Sequence, residues 1–567
     1  MADVIKKKAE ELFKKFKEVS ITEFFRKNKA HLGYSGKLRS LTTAVHEVVT
    51  NSLDACEEAG ILPEINVELN VLGVEHYLIL GRDNGPGIPE KHIASVFGKM
   101  LAGTKFHRNI QMRGQQGIGV SGVTMFSQMT TGKPIEVKTC TGKGRLMKVK
   151  LLLDFTKNKA DIIEQGEEEL TAEEESSSLS SDSFHKNWHG TELRVELKDV
   201  LYKMGEYSPS EYLRRTAIAN PHATISFVDP EGNRTIYERS INEVPKPPIE
   251  MKPHPAGVEV DGLISLSKIT KARRISSFLL QDFSRISSAK IKEIESKCNI
   301  NLNKMPFRMS WAEAEELVAA FKSTSFMAPP TEGLRPIGEE QITATVLNIL
   351  DPEFETVLTR NPQVHSGGIP FQIEVAIAFG GRAGRRINGQ TRSETMRFAN
   401  RAPLLFDAGG CAITKAVNSI EWKRYGIRDF DNAPVTVFVN LVSTYVPYTS
   451  AGKQSIADES QVIEEIKKAL MDLGRKFQRF HSKKHRRAEK ENQLNTLLRY
   501  ARELSKSLAK LTQKKEKEIL TKLENLIREK VDLKEELELE EESIEKGTDF
   551  PKEPPESEQT TLTDDEE

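Results

Sequence analysis

The stretch HEVVTNSLDA (46–55) spaces Glu47 and Asn51 four residues apart, with Asp54 three further on. On a helix these positions share nearly one face. A carboxylate can take a proton from water, and a neighbouring carboxamide can offer its oxygen to Mg²⁺, so the pair suits metal-assisted hydrolysis. Taken alone, such a face is ordinarily a solvated polar stripe. A second set, GRDNGPGI (81–88), follows the apolar run HYLIL (76–80). It puts Asp83, Gly85 and Gly87 in a tight turn at a strand end, where ligands of α/β proteins bind. Asp83 would accept a hydrogen bond from an amine, and the glycines would let a flat base approach the backbone. The same letters also spell a plain D-N-G turn. In a third set, RGQQGIGVSGVTMFSQ (113–128), Gly114, Gly117 and Gly119 precede a helical pattern that begins near Val120. Backbone N–H groups at such a start bind anions.

A fourth stretch, VPYTSAGKQSIAD (446–458), has the look of a P-loop end. The motif needs glycine where Pro447 stands, and Ser or Thr where Gln454 stands, so that reading fails. Lys453 needs another explanation. The D-x-D of Asp429 and Asp431 follows EWKRYGI rather than a hydrophobic strand, and reads as a turn rather than a metal site.

Several elements must position these residues. A chain of 567 residues accommodates three or four domains. A net charge of −1 excludes a broadly basic nucleic-acid coat. Four cysteines without a C-x-x-C pair argue against zinc and disulfides and fit a reducing compartment. No apolar run has the length of a membrane span, and the start MADVIKKKAEELF has no signal-peptide core. Residues 1–33 read as a charged helical arm, and 34–244 as an α/β block with strands at 65–71, 76–80 and 192–197. An acidic, serine-rich loop is expected at 164–184. A proline-dense linker (245–257) leads to a compact helical insert (258–328). A second α/β domain (329–460) has strands at 371–379 and 435–442. Residues 461–545 read as one long helix, and 546–567 as a disordered acidic tail. Leu494, Leu497, Ala501, Leu504, Leu508 and Leu511 form a heptad stripe on it, suited to an amphipathic helix packed on its own domain or to a lever that docks a partner.

Together, in this order, the E-x-x-x-N-x-x-D helix, the D-x-G-x-G turn, the G-x-x-G-x-G segment and the later HGTEL (189–193) resemble the GHKL ATPase superfamily. Within it, SITEFFRKNKAHLGY, VTNSLDACEEAGILP, PKPPIEMKPHP, EWKRYGI and SAGKQSIA are similar to the ATPase subunits of the archaeal type IIB topoisomerase family, over residues 1 to about 480. The resemblance implies a GHKL (Bergerat) α/β sandwich, a helix–two-turns–helix insert at 258–328 and an α/β transducer with a long C-terminal helix. It implies that Glu47 is the general base, Asn51 the Mg²⁺ ligand and Asp83 the acceptor of the adenine amine, beside Gly87, with Thr191 near the base. It further implies that Gly114, Gln115, Gln116, Gly117, Ile118, Gly119, Val120 and Ser121 wrap the triphosphate of ATP, with Thr104 and Lys105 on the same lid. Lys453 becomes the transducer's switch lysine, touching the γ-phosphate.

The family works as an A2B2 heterotetramer in which the A subunit cleaves DNA. The B subunits dimerise on ATP, with the N-terminal arm reaching across, and close over a duplex. The expected location is cytoplasmic and nucleoid-associated. Contacts to double-stranded DNA are expected from the arginines of GGRAGRRINGQTR (380–392) and from Lys423 and Arg424 of EWKRYG, with a further basic run at 474–487. The competing reading is a GHKL chaperone or a MutL-like clamp acting on protein partners.

Overall fold

The computed structural model describes residues 27–30, 32–99, 110–114, 117, 119–142, 144–154, 159–170, 187–365, 368–387, 389–450, 452–513 and 515–545. Outside them lie Thr104, Lys105, Gln115, Gln116, Ile118, the arm up to residue 26, the serine-rich part of the acidic loop and the acidic tail. The chain divides into two units, residues 1–477 and 478–567.

The first unit opens with α1 (Lys37–Glu58), followed by β1 (Glu64–Gly73), β2 (His76–Arg82), α2 (Glu90–Gly98) and α3 (Gly119–Thr131). Strands β3 (Ile135–Cys140), β4 (Arg145–Asp154), β5 (Lys159–Glu169) and β6 (Gly190–Lys198) come next. Then follow α4 (Pro209–Ala219), β7 (Thr224–Val228) and β8 (Arg234–Tyr237). The strands form one mixed sheet in the order β5-β4-β3-β6-β2-β1-β7-β8. Alternation in INVELNV buries Ile65, Val67 and Leu69 on one face. That face carries α1 and α3, whose Leu41, Val45, Val49, Leu53 and Val123 complete the core. The opposite face includes buried Glu192, which accepts from Arg82 Nε at 2.7 Å and Arg194 Nε at 2.9 Å, with Lys138 Nζ at 3.2 Å.

Residues 164–169, expected in a solvated loop, belong to β5. Their carboxylates face cations on β4: Glu164 meets Lys150 at 2.6 Å, Glu167 meets Arg145 at 3.6 Å, and Glu168 pairs with Lys148. Cross-strand pairing of opposite charges makes an exposed acidic run a competent strand.

Helices α5 (Val260–Ile269), α6 (Ile275–Asp282), α7 (Ser288–Lys297) and α8 (Trp311–Ser323) close around their own apolar cluster, centred on Leu263, Phe278, Ile294, Leu317 and Phe321. The next layer comprises α9 (Glu339–Leu350), β9 (Phe354–Thr359), β10 (Gln363–His365), β11 (Ile369–Phe379), the hairpin β12 (Arg385–Ile387) and β13 (Gln390–Arg392), β14 (Glu394–Ala399), β15 (Ala402–Pro403), α10 (Ala412–Asn418) and β16 (Val435–Ser443). Its sheet runs β10-β11-β16-β14-β15, with β9 on β11. Every residue of β16 is buried, as a central strand requires.

This layer is not separate from the first. Ile218 and Ala219 of α4 pack in its core, while Leu405 and Phe406 pack in the core of the first sheet. Further contacts join them, among them Glu394, which accepts from Arg214 and from Arg215 (2.8 Å), and Asp407, which accepts from Arg39 Nη1 and Nη2 at 3.0 and 2.8 Å.

Helix α11 (Ser460–Thr512) begins in the first unit, where Phe477 lies between Phe354 and Phe379 at ring distances of 5.6 and 5.2 Å. Helix α12 (Glu516–Glu545) follows. The single long helix expected from sequence is thus interrupted after Thr512 by Gln513 in a left-handed conformation (φ 55°). No glycine or proline marks the break. In the second unit the covered positions include Ala501 and Ser505, whereas Leu497, Leu504 and Leu511 of the expected stripe are 45, 51 and 80% exposed. No helix among the described residues is long and apolar enough to cross a membrane. All four cysteines are free and buried.

Candidate functional site

Helix α1 carries Glu47 half-buried and Asn51 exposed, one turn apart. Asn51 Nδ2 donates to the Glu47 carbonyl at 2.5 Å, which leaves its side-chain oxygen for another partner. At the start of α3, a methyl group on Gly119 would stand 2.2 Å from Glu47 Oε2 and 3.5 Å from Asn51 Nδ2. The first and third motifs therefore meet: the carboxylate rests against the helix start that would face a phosphate.

Asp83 lies immediately past β2 and is 7% exposed. Its Oδ2 accepts from Ser52 Oγ at 2.8 Å. Its Oδ1 accepts from the backbone N–H of Gly85 (2.9 Å) and of Thr191 (3.0 Å), while its own N–H donates to the Thr191 carbonyl at 2.9 Å. Burial pushes the Asp83 carboxyl up, and the Gly85, Ser52 and Thr191 donors partly offset this. Asp83 borders a cavity of about 240 Å³, several times the ~30 Å³ share of one water. Val48, Ala55, Ile88 and Phe97 give it apolar walls, and Asn51, Gly87, Val120 and Thr191 also line it. An apolar slot ending in a fixed carboxylate suits a flat heterocycle bearing an amine. Gly87 has φ +71°, and a side chain there would meet the Cys140 carbonyl at 2.2 Å, so the turn's glycine is required by the end of β3.

Asp54 lies on the same helix but does not join the Glu47–Asn51 pair. It is buried and accepts from Arg113 Nη1 at 2.8 Å. Arg113 also holds Glu57 through two bonds, at 2.9 and 2.6 Å, and donates to Asn220; His222 Nε2 lies 2.7 Å from the Glu57 carboxylate. Burial pushes Glu57 up, but the Arg113 guanidinium and the His222 hydrogen bond outweigh it and hold the carboxyl well below the usual range. Asp54 thus anchors the residue before Gly114, and α1 serves both chemistry and scaffold.

Lys453 lies in the turn between Tyr448 and Ile456, which pair as an isolated bridge. Its backbone is left-handed (φ 51°), and its Nζ donates to the Arg113 carbonyl at 3.4 Å. Burial lowers the pKa of His46, the neighbour of Glu47; the Glu47 carboxylate pulls it back up and the Lys453 ammonium pushes it down, so both charges act on one ring. Of the residues singled out from sequence, Glu47, Asn51, Asp83, Gly87, Gly114, Gly119, Val120, Thr191 and Lys453 line the cavity or cluster about α1 and the residue before Gly114. Gly117 (φ +57°) and buried Ser121 belong to the same segment and helix. Sequence reasoning missed Ser52, which the next position after Asn51 would have offered, and Arg113, hidden as the letter before the glycine pattern.

Mg²⁺ takes oxygen ligands and is commonly held by one or two protein groups together with substrate phosphates. The outward carboxamide oxygen of Asn51 fits that role, and no cluster of three or more His, Cys, Asp or Glu suited to a metal occurs among the described residues.

The outer basic segments are only partly free. Arg385 pairs with Glu206 at 2.7 Å and Arg382 donates to the Asn348 carbonyl at 3.2 Å, whereas Arg386 and Arg392 are exposed. Lys423 and Arg424 are exposed, but their aromatic neighbours face inward. Trp422 stacks on Phe430 at 4.6 Å, and Tyr425 packs against Gly474. Asn432 Nδ2 donates to Asp429 at 2.8 Å, within a turn.

Residues 36–155 match the family of histidine kinase-, DNA gyrase B- and HSP90-like ATPases, and residues 329–493 match the transducer of the topoisomerase VI B-type subunits. The B-type subunit of type 2 DNA topoisomerase 6 from Pyrococcus horikoshii is 47% identical, over 93% of this chain and 98% of its own. The proteins of that name from Pyrococcus abyssi and Methanothermobacter thermautotrophicus are 46% and 48% identical, over 95% and 90% of this chain and 99% and 95% of their own.

Proposed function

The chain belongs to the topoisomerase VI B-subunit family, the ATP-binding subunits of a type II DNA topoisomerase, and from that premise we propose that a single Mg·ATP is gripped here from two sides. Asp83 takes the adenine amine at the closed end of the cavity, with Ser52 and Thr191 fixing its carboxylate. Glu47 takes the proton of the attacking water. Asn51 binds Mg²⁺, which neutralises charge on the phosphates when present. Gly114 to Ser121 hold the phosphates on backbone N–H groups, and Lys453 reaches the terminal one as a compact charge.

The contact between Lys453 Nζ and the Arg113 carbonyl carries this reading, because it brings a residue 340 positions away to the edge of the phosphate segment. ATP then acts as a ligand that favours one arrangement of the ATPase and transducer layers over another. Dimerisation on ATP, closure over a duplex and strand passage through a break made by the topoisomerase VI A subunit in an A2B2 assembly follow from the family. Exposed Leu497, Tyr500, Leu504 and Leu511 on α11 offer a stripe for that partner. Arg386, Arg392, Lys423 and Arg424, all exposed, supply contacts to DNA phosphates in this reading.

The test is relaxation of supercoiled plasmid by the chain alone and with an A subunit. ATP-dependent relaxation only in the mixture is expected. Absence of relaxation, with ATP turnover stimulated instead by an unfolded protein, would favour the chaperone-like reading.

A further inference from the structure

Three consecutive residues lead into the glycine-rich segment, and each is held by a different piece of the transducer half. Gln111 Oε1 accepts from the Arg335 N–H at 2.7 Å, and its Nε2 donates to the Arg335 carbonyl at 2.9 Å, so the side chain pairs with that backbone in both directions. The Met112 carbonyl accepts from Asn400 Nδ2 at 3.0 Å. The Arg113 carbonyl accepts from Lys453.

Asn400 is delivered by a two-residue connection between β14 and β15 in which Asn400 and Arg401 have φ of 48° and 67°. Left-handed pairs of this kind favour Asn-Gly, so arginine at the second position sits in a conformation that L side chains rarely adopt. The same carboxamide binds β16 from both ends: Nδ2 donates to the Ser443 carbonyl (2.8 Å) and Oδ1 accepts from the Ser443 N–H (2.9 Å). Asn400 therefore ties Met112 to the strand that leads towards Lys453. Beside the segment lies a cavity of about 60 Å³, lined by Gln111, Met112, Arg113, Arg335 and Asn400 among others, with room for a few waters. The contacts are specific, but the packing leaves space for a shift.

We propose that Gln111 and Asn400 are positioning residues. With Lys453 they form a three-point grip on Gln111–Arg113, so the transducer's position and the occupancy of the phosphate segment are one linked equilibrium. This rests on the functional reading above and adds a second route of coupling beside the ammonium–phosphate contact. Linkage is reciprocal, so a weakened grip must weaken both the transducer's response to ATP and the effect of the transducer on ATP.

The experiment uses the assembled A and B subunits with Gln111→Ala and, separately, Asn400→Gly. Glycine populates positive φ freely, so the second variant keeps the turn and decides the matter if the first does not fold. Glu206→Gln serves as control: it removes the Arg385 partner, an interlayer contact that does not involve residues 111–113. ATP turnover and relaxation are measured together, with the thermal midpoint as a check on folding.

ATP affinity should change in both grip variants in step with the coupling lost, because the linkage is reciprocal, and stay at the parental value in the control. Supercoils removed per ATP should fall about fivefold or more in both grip variants, the low end of usual coupling strengths, but not in the control. Parental coupling in both grip variants, or an equal loss in Glu206→Gln, overturns the grip. A parent assembly that hydrolyses no ATP overturns the functional reading, and the grip with it.

Discussion

Gly119→Ala separates the fold from the chemistry at one atom. The added methyl would stand 2.2 Å from Glu47 Oε2 and 3.1 Å from its Cδ. An ordinary carbon–oxygen contact is about 1 Å longer, so either α3 or the carboxylate must move by that amount. The carboxylate is the far end of a flexible side chain and yields first. Stability should therefore hold, or rise by up to about 1 kcal/mol, because alanine outranks glycine in a helix. Activity should not hold: misplacing a catalytic group by about 1 Å costs on the order of 100-fold. The methyl meets none of Ser52, Gly85 and Thr191, which fix Asp83, so nucleotide binding should change less than kcat. Single-turnover hydrolysis, a fluorescent-nucleotide titration and a thermal melt measure the three quantities. Glu47→Gln should show the same low rate, and the double variant should fall no further, because the second change removes a base already displaced. A kcat within about threefold of the parent would refute Glu47 as the base held against α3. A loss of affinity equal to the loss of rate would show that Gly119 serves phosphate approach alone.

Asp83→Asn replaces a charged acceptor, worth about 1.5–3 kcal/mol, and should weaken ATP binding about 10- to 150-fold by calorimetry while the melt changes little. Lys453→Met should leave adenine binding intact and lower kcat about tenfold or more, read from saturation curves of ATP hydrolysis. Glu394→Gln removes one of the two carboxylates that hold Arg214 and Arg215, while Glu211 stays paired with both, and should destabilise the first unit by about 1–3 kcal/mol in a denaturant melt. Burial pushes Glu211 up, but Arg215 and Arg214 hold its carboxyl down at about 2, below the ordinary 4.5. That stability is fully present above pH about 4.5 and is lost as pH falls towards 2, so Glu211→Gln should flatten the acid limb of a stability–pH curve.

Local chemistry was readable in the chain because it depends on short spacing. Four residues along α1 suffice to stack Glu47 over Asn51, and a strand followed by D-N-G-P-G suffices to put Asp83 at a ligand-facing end. Alternation in 65–71 and the apolar run 435–442 likewise specified strands, since burial of one face or both follows from the period. Partnership between distant charges was not readable. Nothing near Asp54 says that Arg113 will claim it, that 164–169 will be a strand because β4 offers cations, or that the left-handed Gln513 will end α11. Nor does spacing bring Arg335, Asn400 and Lys453 to three successive residues before the glycines. Those outcomes depend on how two sheets share α4 and exchange Phe406, because a buried charge takes whichever partner the packing delivers, and only the closed core determines which one that is.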